Sequence, residues 1–351
     1  MSITAAPGGG NWSSTSTWVG GVVPGFTDDV LLTVTSGSVA MDMGNCQSLN
    51  CTGYTGTLTL TANLYIGDPS SAAGNLTFSA GMTLTAGTGG IGFIFGATTG
   101  SNTITTNGLT IEGSFTFTGA GSTWTLQDNV TMDLSPGYNG IYLSAGSLNF
   151  NGKTLVIGTY QQTGGALTCG AATITIIDGT YFQSQNQTWN VTGGTVSAAS
   201  ATINIPVGDY NTYQVAGGGN TYGTLSFPFN AATPGMSVSL DAGNTFTNLT
   251  FDQSLNTSAV PGGTFFSFAG NTTIGTLTIK GYSTTSRIEI FGGTAPTATT
   301  LTTTTNVFSY VDFAFIHGAG GANWNLSSIT GKSGDLGGNT GITFTSPINC
   351  Y

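Results

Sequence analysis

The sequence predicts an all-β chain: a right-handed parallel β-solenoid with an N-terminal aromatic cap and an irregular C-terminal segment. Three observations predict it. The first is composition. The 351 residues include 56 Gly, 20 Phe, 12 Tyr and 5 Trp, and only 5% are charged. Abundant Thr, Ile, Val and aromatic residues suit strands, and glycines suit turns. This apolar content separates the chain from flexible Gly/Ser-rich sequences, which cannot build a core. The second is alternation. "GTLTLTANLYIG" (Gly56–Gly67), "SFTFTG" (Ser114–Gly119) and "ATITIID" (Ala172–Asp178) place apolar side chains at every second position, the mark of a strand with one buried face. No 3.6-residue stripe of helical length occurs. The third is recurrence. "GNTYGTLSF" at Gly219, "GNTFTNLTF" at Gly243 and "GNTTIGTLTI" at Gly270 are near-copies, with "GNLTFSAGMTL" at Gly74 a weaker echo. Periods of this size indicate stacked supersecondary units, here coils spaced about 4.8 Å apart.

Taken in order, residues 1–34 read as a cap and first strand, 35–290 as solenoid repeats, and 291–351 as C-terminal strands with a cap or docking role. The opening "GNWSSTSTWVGGVVPGFTDDVLL" (Gly10–Leu32) carries Trp12, Trp18, Val22, Val23 and Phe26. A solenoid end exposes unpaired backbone and apolar core, and these side chains are suitable material to cover it. Asp28-Asp29 then turns the chain into a first strand at Val30–Val34. In the repeats, Gly and Asn fall where the coil turns, because both tolerate left-handed backbone angles. After Ile290 the repeat becomes irregular. "FSYVDFAFIHGAGGANWNL" (Phe308–Leu326) then concentrates Phe308, Tyr310, Phe313, Phe315 and Trp324, residue types enriched in interface cores. They serve either docking or closure of the last coil. An antiparallel sandwich or jelly roll is the alternative architecture. Asn107-Gly108, Asn139-Gly140 and Asn151-Gly152 are pairs typical of two-residue hairpins and support it.

Charge narrows the function classes. Four Lys+Arg against 14 Asp+Glu give a net charge of -10, which repels nucleic-acid backbones. No basic amphipathic segment, no membrane-spanning apolar run and no secretory leader is visible in the sequence. The N-x-S/T triplets, among them Asn75-Leu76-Thr77 and Asn129-Val130-Thr131, are expected in a chain so rich in these residues. None is read as glycosylated. Cys46 and Cys51 form C-x4-C, with Cys169 and Cys350 distant. Buried thiols are the simplest reading, and a Cys46–Cys51 bridge depends on their geometry.

The search for chemistry is short. Glycoside hydrolysis needs two carboxyls at a set separation. Glu112 and Glu289 are the only glutamates, while Asp128, Asp133, Asp28 and Asp29 read as turn residues. His317, the sole histidine, lies near Asp312 in sequence, but no nucleophile elbow accompanies it. With one histidine a zinc site is not expected. Asp28 and Asp29 offer oxygens to calcium without any repeated calcium motif. "AGTGGIG" (Ala86–Gly92) and "GGGN" (Gly217–Asn220) lack the lysine and helix of a phosphate site and read as turns. No catalytic residue, cofactor or metal is therefore expected. Tyr138, Tyr142, Tyr160, Tyr181, Tyr210, Tyr213 and Tyr222 suit sugar contact if exposed and inter-coil packing if not.

"NWSSTSTWVGGVVPGFTDDVLL", "CQSLNCTGYTGTLTL", "STWTLQDNVTM", "AGSLNFNGKTLVIGTY" and "GGGNTYGTLSF" together resemble the long β-repeat proteins of tailed-bacteriophage virions and bacterial surface adhesins. The closing "SGDLGGNTGITFT" (Ser333–Thr345) resembles the usual end of such chains. The resemblance implies a non-enzymatic structural or adhesive role on the particle exterior, as capsid decoration or tail fibre, assembled in host cytoplasm. A place on the virion implies other virion proteins as partners, its symmetry implies a homotrimer or similar ring, and the tyrosines add host-surface glycans as a further partner class. A bacterial cell-surface adhesin and a polysaccharide-degrading tailspike are the alternatives.

Overall fold

The computed structural model describes all residues except 68, 70–73, 88–90, 135–138, 178–186, 208–211, 229–236, 255–263, 294–297 and 345–351. Short strands stack as parallel ladders, forming a parallel β-solenoid. The hairpin alternative fails at the Asn-Gly pairs. Asn107 (φ 52) with Gly108 (φ 77), and Asn151 (φ 52) with Gly152 (φ 68), do adopt the left-handed angles such a turn requires. The strands they join do not pair with each other. Ser101–Thr105 pairs with Thr123–Leu126, and Thr110–Ile111 pairs with Val130–Met132. The same local geometry makes a coil corner. Asn139-Gly140 simply leads into the strand Gly140–Leu143.

The chain divides into two compact units, Met1–Tyr181 with Gly193–Val196, and Phe182–Thr192 with Ser197–Tyr351. In the first unit a full coil is built from three short strands. One face stacks Ser2–Thr4, Asp29–Leu31, Ser48–Asn50, Leu76–Thr77, Ser101–Thr105, Thr123–Leu126, Ser147–Asn149 and Ala166–Thr168. A second stacks Gly10–Asn11, Val39–Met41, Thr57–Leu60 and Thr83–Ala86. A third runs from Gly44–Cys46 through Leu64–Ile66, Gly92–Phe95, Ser114–Phe117 and Gly140–Leu143 to Thr159–Gln162. Alternation decides which side chains point in. Ile3, Val30, Leu49, Leu76, Ile104 and Leu126 form one buried column in register. Phe95 stacks on Phe117 at 4.7 Å, with Trp124 also 4.7 Å from Phe95. The first strand of the second coil ends at Leu31, short of the expected Val34. There the Ser36 hydroxyl accepts the Thr33 N–H and closes a turn.

In the second unit a coil uses one long strand and one short one. Thr221–Pro228, Thr245–Asp252, Thr272–Lys280 and Thr299–Ser309 stack in register. Opposite them stack Ser237–Leu240, Thr264–Phe268, Ile288–Gly292 and Val311–Ala314. Leu225, Leu249 and Leu277 occupy successive coils, as the recurrence predicts. Each long strand bends inside itself. Buried Tyr222 and Leu225, Phe246 and Leu249, and Ile274 and Leu277 are three apart, an odd step that breaks the alternation. Gly223 and Gly275 sit at this bend. A β-carbon on Gly223 would lie 2.4 Å from the Ala201 carbonyl oxygen.

Leu225, Leu249 and Leu277 are followed in register by Asn306. The Asn306 amide nitrogen and oxygen are both shut off from solvent and have no hydrogen-bond partner among the described residues. The apolar column thus ends in a polar residue.

Candidate functional site

The N-terminal aromatics are placed by a short 3-10 turn, Thr15–Thr17. Trp12 and Trp18 are buried edge-to-face, with ring centroids 4.8 Å apart. The Trp18 indole donates to the Trp12 carbonyl at 2.8 Å. The intervening loop is tied down by Asp42, whose carboxylate accepts from the Ser13 N–H and hydroxyl. Burial alone would push the Asp42 pKa up, but the Ser13 and Met43 donors outweigh it and hold it below the usual carboxylate value. Phe26 is half-buried, edge-on to Tyr65 at 6.3 Å.

Of the C-terminal aromatics, Phe313 and Trp324 give their rings to the core. Phe308 lies half-buried against both, and Tyr310 and Phe315 are also half-buried. Tyr310 and Phe315 adopt left-handed backbone angles, φ 51 and 55, rare for aromatic residues. A glycine lies close to each ring: Gly331 at Tyr310 and Gly338 at Phe315. Any side chain at these glycines would collide with the ring.

The carboxylates are engaged in holding backbone. Glu112 accepts the Ala86 N–H at 2.9 Å, and Asp128 accepts the N–H groups of Thr106 and Asn107. Glu289 and Asp312 are stacked register partners on adjacent coils. Burial, and then the neighbouring Asp312 charge, push the Glu289 pKa up. Asp312 is clamped. The Arg287 guanidinium donates to both its oxygens at 2.6 Å and also to the carbonyls of Val311, Gly331 and Lys332. The Gly334 N–H donates to the same carboxylate. A carboxylate so occupied ties coils together and has little capacity left for a substrate. His317 is not brought to Asp312, because its Nδ1 meets the Thr340 hydroxyl at 2.7 Å.

Cys46, Cys51 and Cys169 are free buried thiols. Burial pushes all three pKa values up, that of Cys169 to about 12, which keeps them unreactive. Cys350 lies outside the described residues. No group of three or more metal-binding side chains occurs among the described residues. Tyr160, Tyr213 and Tyr222 are buried, contrary to a sugar-facing role. The Tyr160 and Tyr222 hydroxyls find partners inside, at Gln162 and the Gly217 carbonyl. Tyr142 is half-buried. Tyr138, Tyr181 and Tyr210 lie outside the described residues.

The polar residues that sequence reasoning missed act between coils. Asn75 accepts the Thr103 N–H and hydroxyl, Asn129 the Thr154 N–H, Asn63 the Gly92 N–H, and Asn271 the Thr300 N–H. Asn244 and Asp241 together cap the N–H groups of Gly217, Gly218, Gly219 and Asn220 on the preceding coil. The Gly-Asn recurrence was the available signal for Asn75, Asn244 and Asn271, while Asn63 and Asn129 lie outside it.

No protein-family model matches this chain, and no curated protein or solved structure matches it. The class that fold and side-chain placement define is the parallel β-solenoid.

Proposed function

We propose that the chain is a non-enzymatic structural and adhesive protein of a tailed-bacteriophage particle exterior, as the sequence resemblance implies. One observation carries the reading. The polar side chains at the corners bond from coil to coil, and the second unit carries an outward column of neutral hydroxyls. Thr221, Thr245, Thr273 and Thr302 form one such hydroxyl column. A column of this kind leaves hydroxyl groups for neutral glycans. Trp12 and Trp18 close the first coil, and Phe308, Tyr310 and Phe315 offer their free surface to other virion proteins. A homotrimer or similar ring supplies symmetric attachment.

A density map of intact particles tests the proposal. The chain should appear on the outside in symmetric copies. Particles that lack it, or new reducing ends when the purified chain is incubated with host capsule, would overturn it.

A further inference from the structure

The chain has three Asn-Gly pairs, and their surroundings differ. In such a pair the glycine nitrogen can attack the asparagine side chain, because glycine brings no β-carbon to obstruct it. The N–H loses its proton and nitrogen bonds to Cγ. The Cγ–Nδ2 bond breaks, and ammonia departs with the proton. Water then opens the cyclic imide at either carbonyl, giving aspartate or isoaspartate. A glycine N–H already committed to an acceptor is held back from this step.

Gly152 donates its N–H to the Cys169 carbonyl at 3.1 Å. Gly140 points its N–H at the Ser114 hydroxyl at 3.4 Å, and Asn139 is only 4% exposed. Gly108 differs on every count. Its N–H has no acceptor among the described hydrogen bonds, and both it and Asn107 are exposed. Nothing lies within 4 Å of where a β-carbon on Gly108 would stand, so the glycine is open to water and base. We infer that Asn107 is a site of spontaneous covalent self-modification, converting to the acid while the other two pairs keep their amides.

The change matters to the corner that holds it. The Asn107 side-chain amide donates to the Phe78 carbonyl of the preceding coil at 2.8 Å. The Asn107 backbone N–H donates to Asp128. Conversion removes the donor facing Phe78 and sets a second carboxylate beside the first, which is unfavourable for like charges. The corner between Ser101–Thr105 and Thr110–Ile111 loosens as the protein ages.

Peptide mapping by mass spectrometry tests this on the full native chain incubated at mildly alkaline pH. The peptide holding Asn107 should gain acid and isoaspartate several-fold faster than those holding Asn139 and Asn151. In urea-unfolded chain all three should convert alike. Equal native rates, or no native conversion at Asn107 while the unfolded chain converts, overturn the inference. Asn107→Asp should make the corner more open to proteolysis than Asn107→Ser. Equal sensitivity of the two overturns the charge-repulsion part.

Discussion

The two units solve the same packing problem with different coils. In the first, three short strands meet at explicit corners, such as Asn107-Gly108 and Asn151-Gly152, where left-handed backbone makes the turn. In the second, a coil uses one long strand where the first uses two short ones, and the corner is absorbed as a bend at Gly223 and Gly275. The first arrangement depends on backbone angle. The second depends on room, because the bend presses against the preceding coil. Coil length does not follow this division, since partners in the second unit range from 17 residues apart at Thr299 and Ile316 to 29 apart at Leu277 and Asn306. Column partners in the first unit are 19 residues apart at Val30 and Leu49 and 28 apart at Leu76 and Ile104. In the second they are 24 apart at Leu225 and Leu249 and 28 apart at Leu249 and Leu277.

The largest effect expected is at the first unit's opening. Trp18→Ala should cost about 3–5 kcal/mol in urea unfolding, the range for emptying a buried aromatic site. Solubility should fall with it, since an uncovered coil end is an aggregation template. Unchanged stability and solubility would show that this ring closes nothing. Next, Leu249→Ala should cost about 2–5 kcal/mol. Hydrogen exchange should quicken in Thr221–Pro228 and Thr272–Lys280, the strands on either side. Equal quickening in the first unit's strands would mean that the two coil designs share one unfolding event.

The corners give a sharper test at smaller size. Gly223→Ala must push the Ala201 carbonyl aside and should cost about 1–3 kcal/mol, as overpacking does. Gly108→Ala meets no neighbour and suffers only from its positive φ, about 1–2 kcal/mol. A costlier Gly108→Ala would reverse the assignment of room to one unit and backbone angle to the other.

The smallest effects are in pH dependence, and their signs differ. Asp42 in the first unit is lowered, so its stabilising effect is present above the unfolded value of about 3.9 and is lost as pH falls through the folded one. Asp252 in the second unit behaves alike. Burial raises it, but the donors of Ser254 and Lys280 prevail and lower it. Glu289 runs the other way. Its raised folded value gives stability that is present below the unfolded value of about 4.3 and is lost as pH rises through the folded one. Glu289→Gln should therefore raise the urea midpoint at pH 7 and leave it nearly unchanged near pH 4. An equal shift at both pH values would refute this linkage.

The parallel fold was legible because alternation and recurrence agree. Leu225, Leu249 and Leu277 announce their register, since each lies in a near-copy of one Gly-Asn motif. The first unit hid its register, because its coils carry no copied motif beyond the weak echo at Gly74. The Asn-Gly pairs pointed toward hairpins, because a turn fixes only local backbone angles and leaves the pairing of its flanks open. The tyrosines left two readings open, and Tyr160 and Tyr222 take the packing one, because their hydroxyls are satisfied inside. The Arg287 clamp was illegible. Two of its acceptors are backbone carbonyls at Gly331 and Lys332, more than 40 residues away and without any side-chain signature.

The column that runs from leucine into Asn306 gives the solenoid a direction of growth. A duplicated coil inserted between Asp252 and Thr272 would meet leucine above and below, at Leu249 and Leu277, and continue the stack unchanged. One added beyond Ser309 would have to lay its apolar side chain on an unpaired amide, at a desolvation cost of about 1–3 kcal/mol. Length in this column is therefore free to drift from within, by copying whole coils, while its Asn306 end resists extension.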